Sequence, residues 1–175
     1  MTSEPKGELN VGELKVGEVK VFGADEQQAA PVDVRRWVDL ARNVLLAEGM
    51  SGDTELSLLF VDEDTISGLN RRFMDVDGPT DVLAFPIDDP ADADATRAET
   101  GMAGPATLLL GDVVVCPAVA QRQAPEHAAS YDDELALLVV HGVLHVLGHD
   151  HAEVDEAALM QARERDLLQR FHQRR

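Results

Sequence analysis

Cations are scarce in this chain. Fifteen Lys and Arg stand against 33 Asp and Glu, a formal net charge of −18 at neutral pH over 175 residues. So acidic a body repels polyanions at long range, which counts against broad electrostatic binding of nucleic acid and against anionic membranes, and leaves membrane and DNA out of the expected partners. It does not exclude a local cleft that binds an anion. Cysteine is nearly absent. Cys116 alone cannot form an internal disulfide, which favours a reducing, cytoplasmic setting. Aromatics are 4% of the chain, too thin a supply for the stacking platform of a general single-strand binder. Long apolar runs are missing as well: the stretch from Leu135 to Val140 continues to Leu147 only with two histidines in it, short of the ~18 residues of a membrane span. The start, MTSEPKGELNVGELKVGEVKVF, has no basic head followed by an apolar core, so no secretory signal is read there. No glycine-rich phosphate loop of either common type occurs.

What is present is an ordinary globular composition, 45% hydrophobic and 27% charged, on a length that suits one domain burying about 70% of its unfolded surface. Residues 1–19, with the short echo VGELK and VGEVK, read as an exposed extension, and 20–175 as a single domain. A strand is expected at Val19 to Phe22. The spacing predicts a helix over 31–48 with Val34, Trp37, Val38, Ala41, Val44 and Leu45 on one stripe, ended by Gly49. Leu56 to Val61 reads as a strand. Asp62 or Asp64 then caps a helix whose inner face is Ile66, Leu69 and Phe73. After the Gly78-Pro79 turn comes a strand from Asp81 to Pro86, then an acidic loop over 87–106. Thr107 to Cys116 reads as a buried strand, with Gly111 marking a bulge or a close backbone approach. Helices follow at 117–127, 131–147 and 154–171. The irregular order argues α+β, with about four strands in a small mixed sheet packed with about five helices, and against a doubly wound sheet.

Four of the six histidines fall within His141-Gly142-Val143-Leu144-His145-Val146-Leu147-Gly148-His149-Asp150-His151. His141 and His145, four apart on a helix, lie on one face and can chelate one cation. Gly148 can take the left-handed conformation that turns the chain back, bringing His151 to the same ion. Three imidazoles without a nearby cysteine suit zinc, one Zn2+, and leave a fourth position for water, the arrangement of a catalytic site. His149 should point away. Asp150 reads as a group orienting an imidazole or capping the last helix, and His127 and His172 as isolated and exposed. The spacing equals that of metzincin peptidases, but those carry Glu directly after the first His, where this chain has Gly142, so a peptidase would need its base from elsewhere.

The stretch HGVLHVLGHDH, the block Leu69-Asn70 followed by DGPTDVLAFP (77–86), and Leu110-Gly111-Asp112 resemble the YbeY-type endoribonucleases of bacterial ribosomal RNA maturation. The likeness covers roughly residues 20–172 and leaves out 1–19 and 87–106. It implies a compact α+β domain, zinc held by His141, His145 and His151, and metal-dependent cleavage of single-stranded RNA. It further implies processing of the 16S rRNA 3′ end, ribosome quality control, and the ribosome or ribosomal proteins as partners. One departure stands out: the family often has an arginine directly after the aromatic of the second block, where this chain has Met74 after Phe73. Arg71 or Arg72 can substitute. Arg72 is preferred because it flanks the buried stripe, a plain surface arginine being the alternative. Asp81 either caps its turn or points into the metal cleft. Two other readings predict different chemistry: a metzincin-like metallopeptidase, and a non-catalytic ribosome-assembly factor with structural zinc.

Overall fold

β2 (Thr54–Phe60) alternates buried and half-buried residues at every step, the period of a strand covered on both faces. It pairs in parallel with β1 (Val19–Asp25) on one side and β4 (Leu108–Val115) on the other, and β3 (Val82–Pro86) runs antiparallel along β4. The result is the expected mixed sheet, of four strands in the order β1-β2-β4-β3. The computed structural model describes residues 17–92, 107–127 and 129–173; most of the 1–19 extension and of the 87–106 loop lies outside the described residues. β1 runs three residues beyond the expected Phe22.

Five helices are described over their whole length: α1 (Val34–Ala47), α2 (Glu63–Met74), α3 (Pro117–Gln123), α4 (Tyr131–Val146) and α5 (Val154–Phe171). Residues 90–92 form a further helical turn. The caps explain the starts. Asp33 accepts from the Arg36 amide, Asp62 from Thr65, and Ser130 and Asp133 form a reciprocal capping box at α4. Of the two aspartates considered for α2, Asp62 is the cap.

On one face of the sheet α1, α4 and α5 enclose the main core, with Trp37, Leu45, Leu58, Phe60, Val113 and Leu144 fully or almost fully buried. Each such side chain is worth about 1.5–3 kcal/mol relative to exposure. A smaller cluster on the other face joins Ile66 of α2 to Leu83, Val114, Cys116 and Val119. Phe73, expected on the inner face of α2, is instead 53% exposed and meets Phe85 edge-on at 5.2 Å. Asn70 takes the buried place and donates to the Gly78 carbonyl at 3.0 Å. The helix ends within two residues of Phe73, at Asp75 in the left-handed region (φ 54), before its last turn can reach the core.

The bulge expected at Gly111 is present: pairing with β2 shifts register between Glu55 and Leu56. Gly111 has φ 141, and a Cβ there would stand 2.1 Å from the Phe85 carbonyl oxygen. Only glycine allows β3 to lie so close against β4.

Candidate metal centre

α4 is apolar nearly all round, because it packs against α1, α3, α5, β3 and β4 at once. Where it crosses β4 there is no room for a side chain: a Cβ on Gly142 would lie 2.4 Å from Val113 Cγ1 and 3.3 Å from Val82 Cγ2. This close approach brings the neighbouring His141 and His145, both half-buried, down onto the edge strand β3. The helix then stops in a Schellman turn, with the Gly148 amide donating to His145 O and the His149 amide to Leu144 O, each at 3.0 Å, and Gly148 at φ 96. The reversal returns His151 to the other two rings.

Ring centroids are 4.5 Å apart for His141 and His145, 4.9 Å for His145 and His151, and 5.7 Å for His141 and His151. One ligand atom from each lies within 4.8 Å of the others, so the three side chains could hold a metal ion. The donor set fits this use in a second respect. His141 Nδ1 is 2.6 Å from the carboxylate of Glu164 on α5, a residue 7% exposed, which fixes the ring and leaves Nε2 to ligate. Burial, followed by the charges of His141 and His151, pushes His145 below the ordinary imidazole value, so it stays neutral and able to coordinate.

His149 turns away, as its place in the turn predicts. Its Nε2 lies 3.3 Å from Glu48 at the end of α1, and Glu48 also binds Arg163, the residue before Glu164. Adjacent side chains of α5 therefore hold both His141 and the outer side of the His149 loop. Asp150 accepts from the His151 amide at 2.7 Å, a local turn contact.

The histidines stand in a cavity of about 430 Å³, walled on the opposite side by Met74, Asp81 and β3. Asp81 Oδ1 accepts from the Val82 amide at 2.8 Å, and the residue is part of the cavity lining. Arg72 stacks on Phe73, 5.1 Å from the ring centroid, and Arg71 pairs with Asp77 at 2.9 Å on the surface; neither lines the cavity, whereas Met74 does. Cys116 is fully buried, and burial raises its thiol above the ordinary value, so it serves as core.

Two histidines read as isolated are paired. His172 has 6% of its side chain exposed and meets Asp133 at 2.8 Å; His127 is half open, but its Nδ1 contacts both oxygens of Glu134, at 3.1 and 3.0 Å. Glu164 is absent from the site residues that spacing and motif point to. Its signal is visible in the sequence: Met160, Glu164 and Leu167 share one stripe of α5, and a carboxylate inside an apolar stripe asks for a partner.

Compared with known proteins, residues 23–172 match a family model described as Endoribonuclease YbeY. A protein of that name from Frankia casuarinae is 48% identical over 136 residues, 78% of this chain and 66% of its own. One from Salinispora tropica is 47% identical over 142 residues, 81% and 90% of the two chains. A solution structure from Thermotoga maritima, at 22% identity, superposes with a TM-score of 0.51 over 87% of this chain and 91% of its own, a likeness of fold.

Proposed function

Since the chain belongs to the YbeY endoribonuclease family, we propose that it is a zinc-dependent endoribonuclease that cuts single-stranded RNA, acting in the cytoplasm on the 3′ end of 16S rRNA and on defective ribosomes. The observation that carries the reading is the cluster of His141, His145 and His151 beside a cavity, with Glu164 holding the first of them. These three side chains are the proposed ligands of one ion. When bound, zinc supplies Lewis acidity that activates an oxygen nucleophile and offsets charge on the phosphoryl oxygens.

The chain's own groups do the rest. Glu164 keeps the His141 ring in one tautomer, and α4 and the Gly148 turn bring the third imidazole back to the first two. Asp81, on the facing wall, stands where it can accept a proton or orient a ribose hydroxyl. Arg72, outside the cavity, is proposed to act on RNA that extends past Phe73. The residues 20–175 are read as one catalytic domain, and with so acidic a body the ribosome is the expected presenter of substrate.

A peptidase built on the same histidine spacing loses its base here. A glutamate at position 142 would bring its Cβ to 2.4 Å from Val113 Cγ1, so the side chain that chemistry requires would fit only by displacing Val113 or the helix.

The test is cleavage of single-stranded RNA by wild type and His141→Ala, each with and without chelator, from preparations shown free of contaminating RNase. Loss of cutting on either change is expected. Cutting that survives both sinks the metal-dependent reading, and ribosome binding without any cutting supports the assembly-factor alternative. The product reports the nucleophile: a 5′-phosphate for direct hydrolysis, a 2′,3′-cyclic phosphate for attack by the 2′-hydroxyl.

A further inference from the structure

A strand of RNA crossing the cavity brings a phosphate at every nucleotide, yet among the described residues no Lys or Arg lines it. Met74, an uncharged side chain, stands in its wall. Nearby guanidinium groups are engaged elsewhere, Arg71 with Asp77 and Arg122 with Glu63, and Arg72 lies on Phe73.

The Glu134–His127 pair lies on the same side of α4 as the metal ligands. Glu134, His141 and His145 fall within about 20° of one line along the helix, and Glu134 precedes His141 by two turns, about 10 Å of rise. The pair is asymmetric. Glu134 is 2% exposed, whereas 53% of the His127 side chain is open. A pair serving only to satisfy a buried carboxylate would gain from covering the ring too. Here the buried carboxylate takes Nδ1 and leaves Nε2 as the free donor, the orientation of an imidazole presented to a ligand.

We propose that His127, held by Glu134, is a phosphate-binding subsite for the RNA strand, taking a phosphodiester beside the one cut at the histidine cluster. The proposal rests on the endoribonuclease reading and adds to it a cation that the described residues of the cavity wall do not supply. The charge state agrees. Glu134 raises His127 above the ordinary imidazole value, and Glu126 on its own segment and Asp81 from the cavity wall act in the same direction.

The test is anisotropy of a fluorescein-labelled 2′-O-methyl oligouridylate with the full chain equilibrated with zinc, for wild type, His127→Gln and His127→Lys over a range of salt. Gln keeps an N–H for Glu134 without the charge; Lys keeps the charge. His127→Gln is expected to weaken binding about 5–10-fold near neutral pH and to reduce the salt slope by about 0.7, one single-strand phosphate contact. Lys should restore both. The wild-type advantage should fade as pH rises through the raised His127 value, while zinc affinity stays unchanged. Equal affinity and slope for wild type and Gln overturn the subsite, as do equal losses in Gln and Lys, or no wild-type binding at all. A parallel assay with unmodified RNA separates the two proposals. Cleavage with the same KM in wild type and His127→Gln removes the subsite and leaves the nuclease; binding that responds to His127 without cleavage removes the nuclease.

Discussion

The contact between His141 Nδ1 and Glu164 decides more about the site than any other single contact, because a ligand imidazole is only as well placed as the group that holds its far nitrogen. Glu164→Gln should lower zinc affinity by about 10–100-fold in competition with a chromophoric chelator. His149→Ala, which touches Glu48 and not the cluster, should leave the stoichiometry at one ion. His172 and Asp133 give a second residue-level expectation, for stability. The His172 hydrogen bond, the larger cause, and the bonds from Ser130 hold Asp133 below the ordinary carboxylate value. A depressed folded value means stabilisation that is complete above about pH 4 and is lost as pH falls through the folded value. Asp133→Asn should therefore cost about 1.5–3 kcal/mol near neutral pH and much less in acid, as read by urea unfolding at both. An equal cost at the two pH values would contradict the pairing.

Among the elements, α4 and the edge strand β3 are the decisive pair. Gly142 is the point of contact, and Gly142→Ala should cost about 1–3 kcal/mol by pushing Val113 or moving the helix off β4. Because His141 and His145 ride on that helix, the same change should weaken zinc binding although no ligand is touched; a stability loss with unchanged affinity would show that the sheet, not the helix, gives way. The helix itself was legible from its apolar run, its four-residue histidine spacing and its terminal glycine. What periodicity could not supply was the fate of α2. Its stripe placed Phe73 inward, but the helix ends at Asp75 before that turn reaches the core, and the edge of Phe85 was the surface left for it.

For the molecule as a whole, the charge of −18 sets how RNA can arrive. Wild-type affinity for free single strands should be weak and should fall with added salt; tight, nearly salt-independent binding would contradict local recognition by one ion and a few cations. Because the three imidazoles converge only in the folded chain, zinc should raise the melting temperature and a chelator reverse the rise, whereas coincident melts would mean that no folded-state site exists. By itself the sequence determined the histidine cluster, the turn that unites it, the mixed α+β architecture and the bulge, since each is local chemistry: a helical spacing, a glycine conformation, an alternation of residues. Tertiary structure alone decided who stands behind those histidines. Glu164 is 23 residues from His141 and Glu48 is 101 residues from His149, and position 142 is crowded only because Val113, on another element, fills the space. Those relations depend on how helices cross a sheet, and spacing along one chain does not encode the distance between two of its faces.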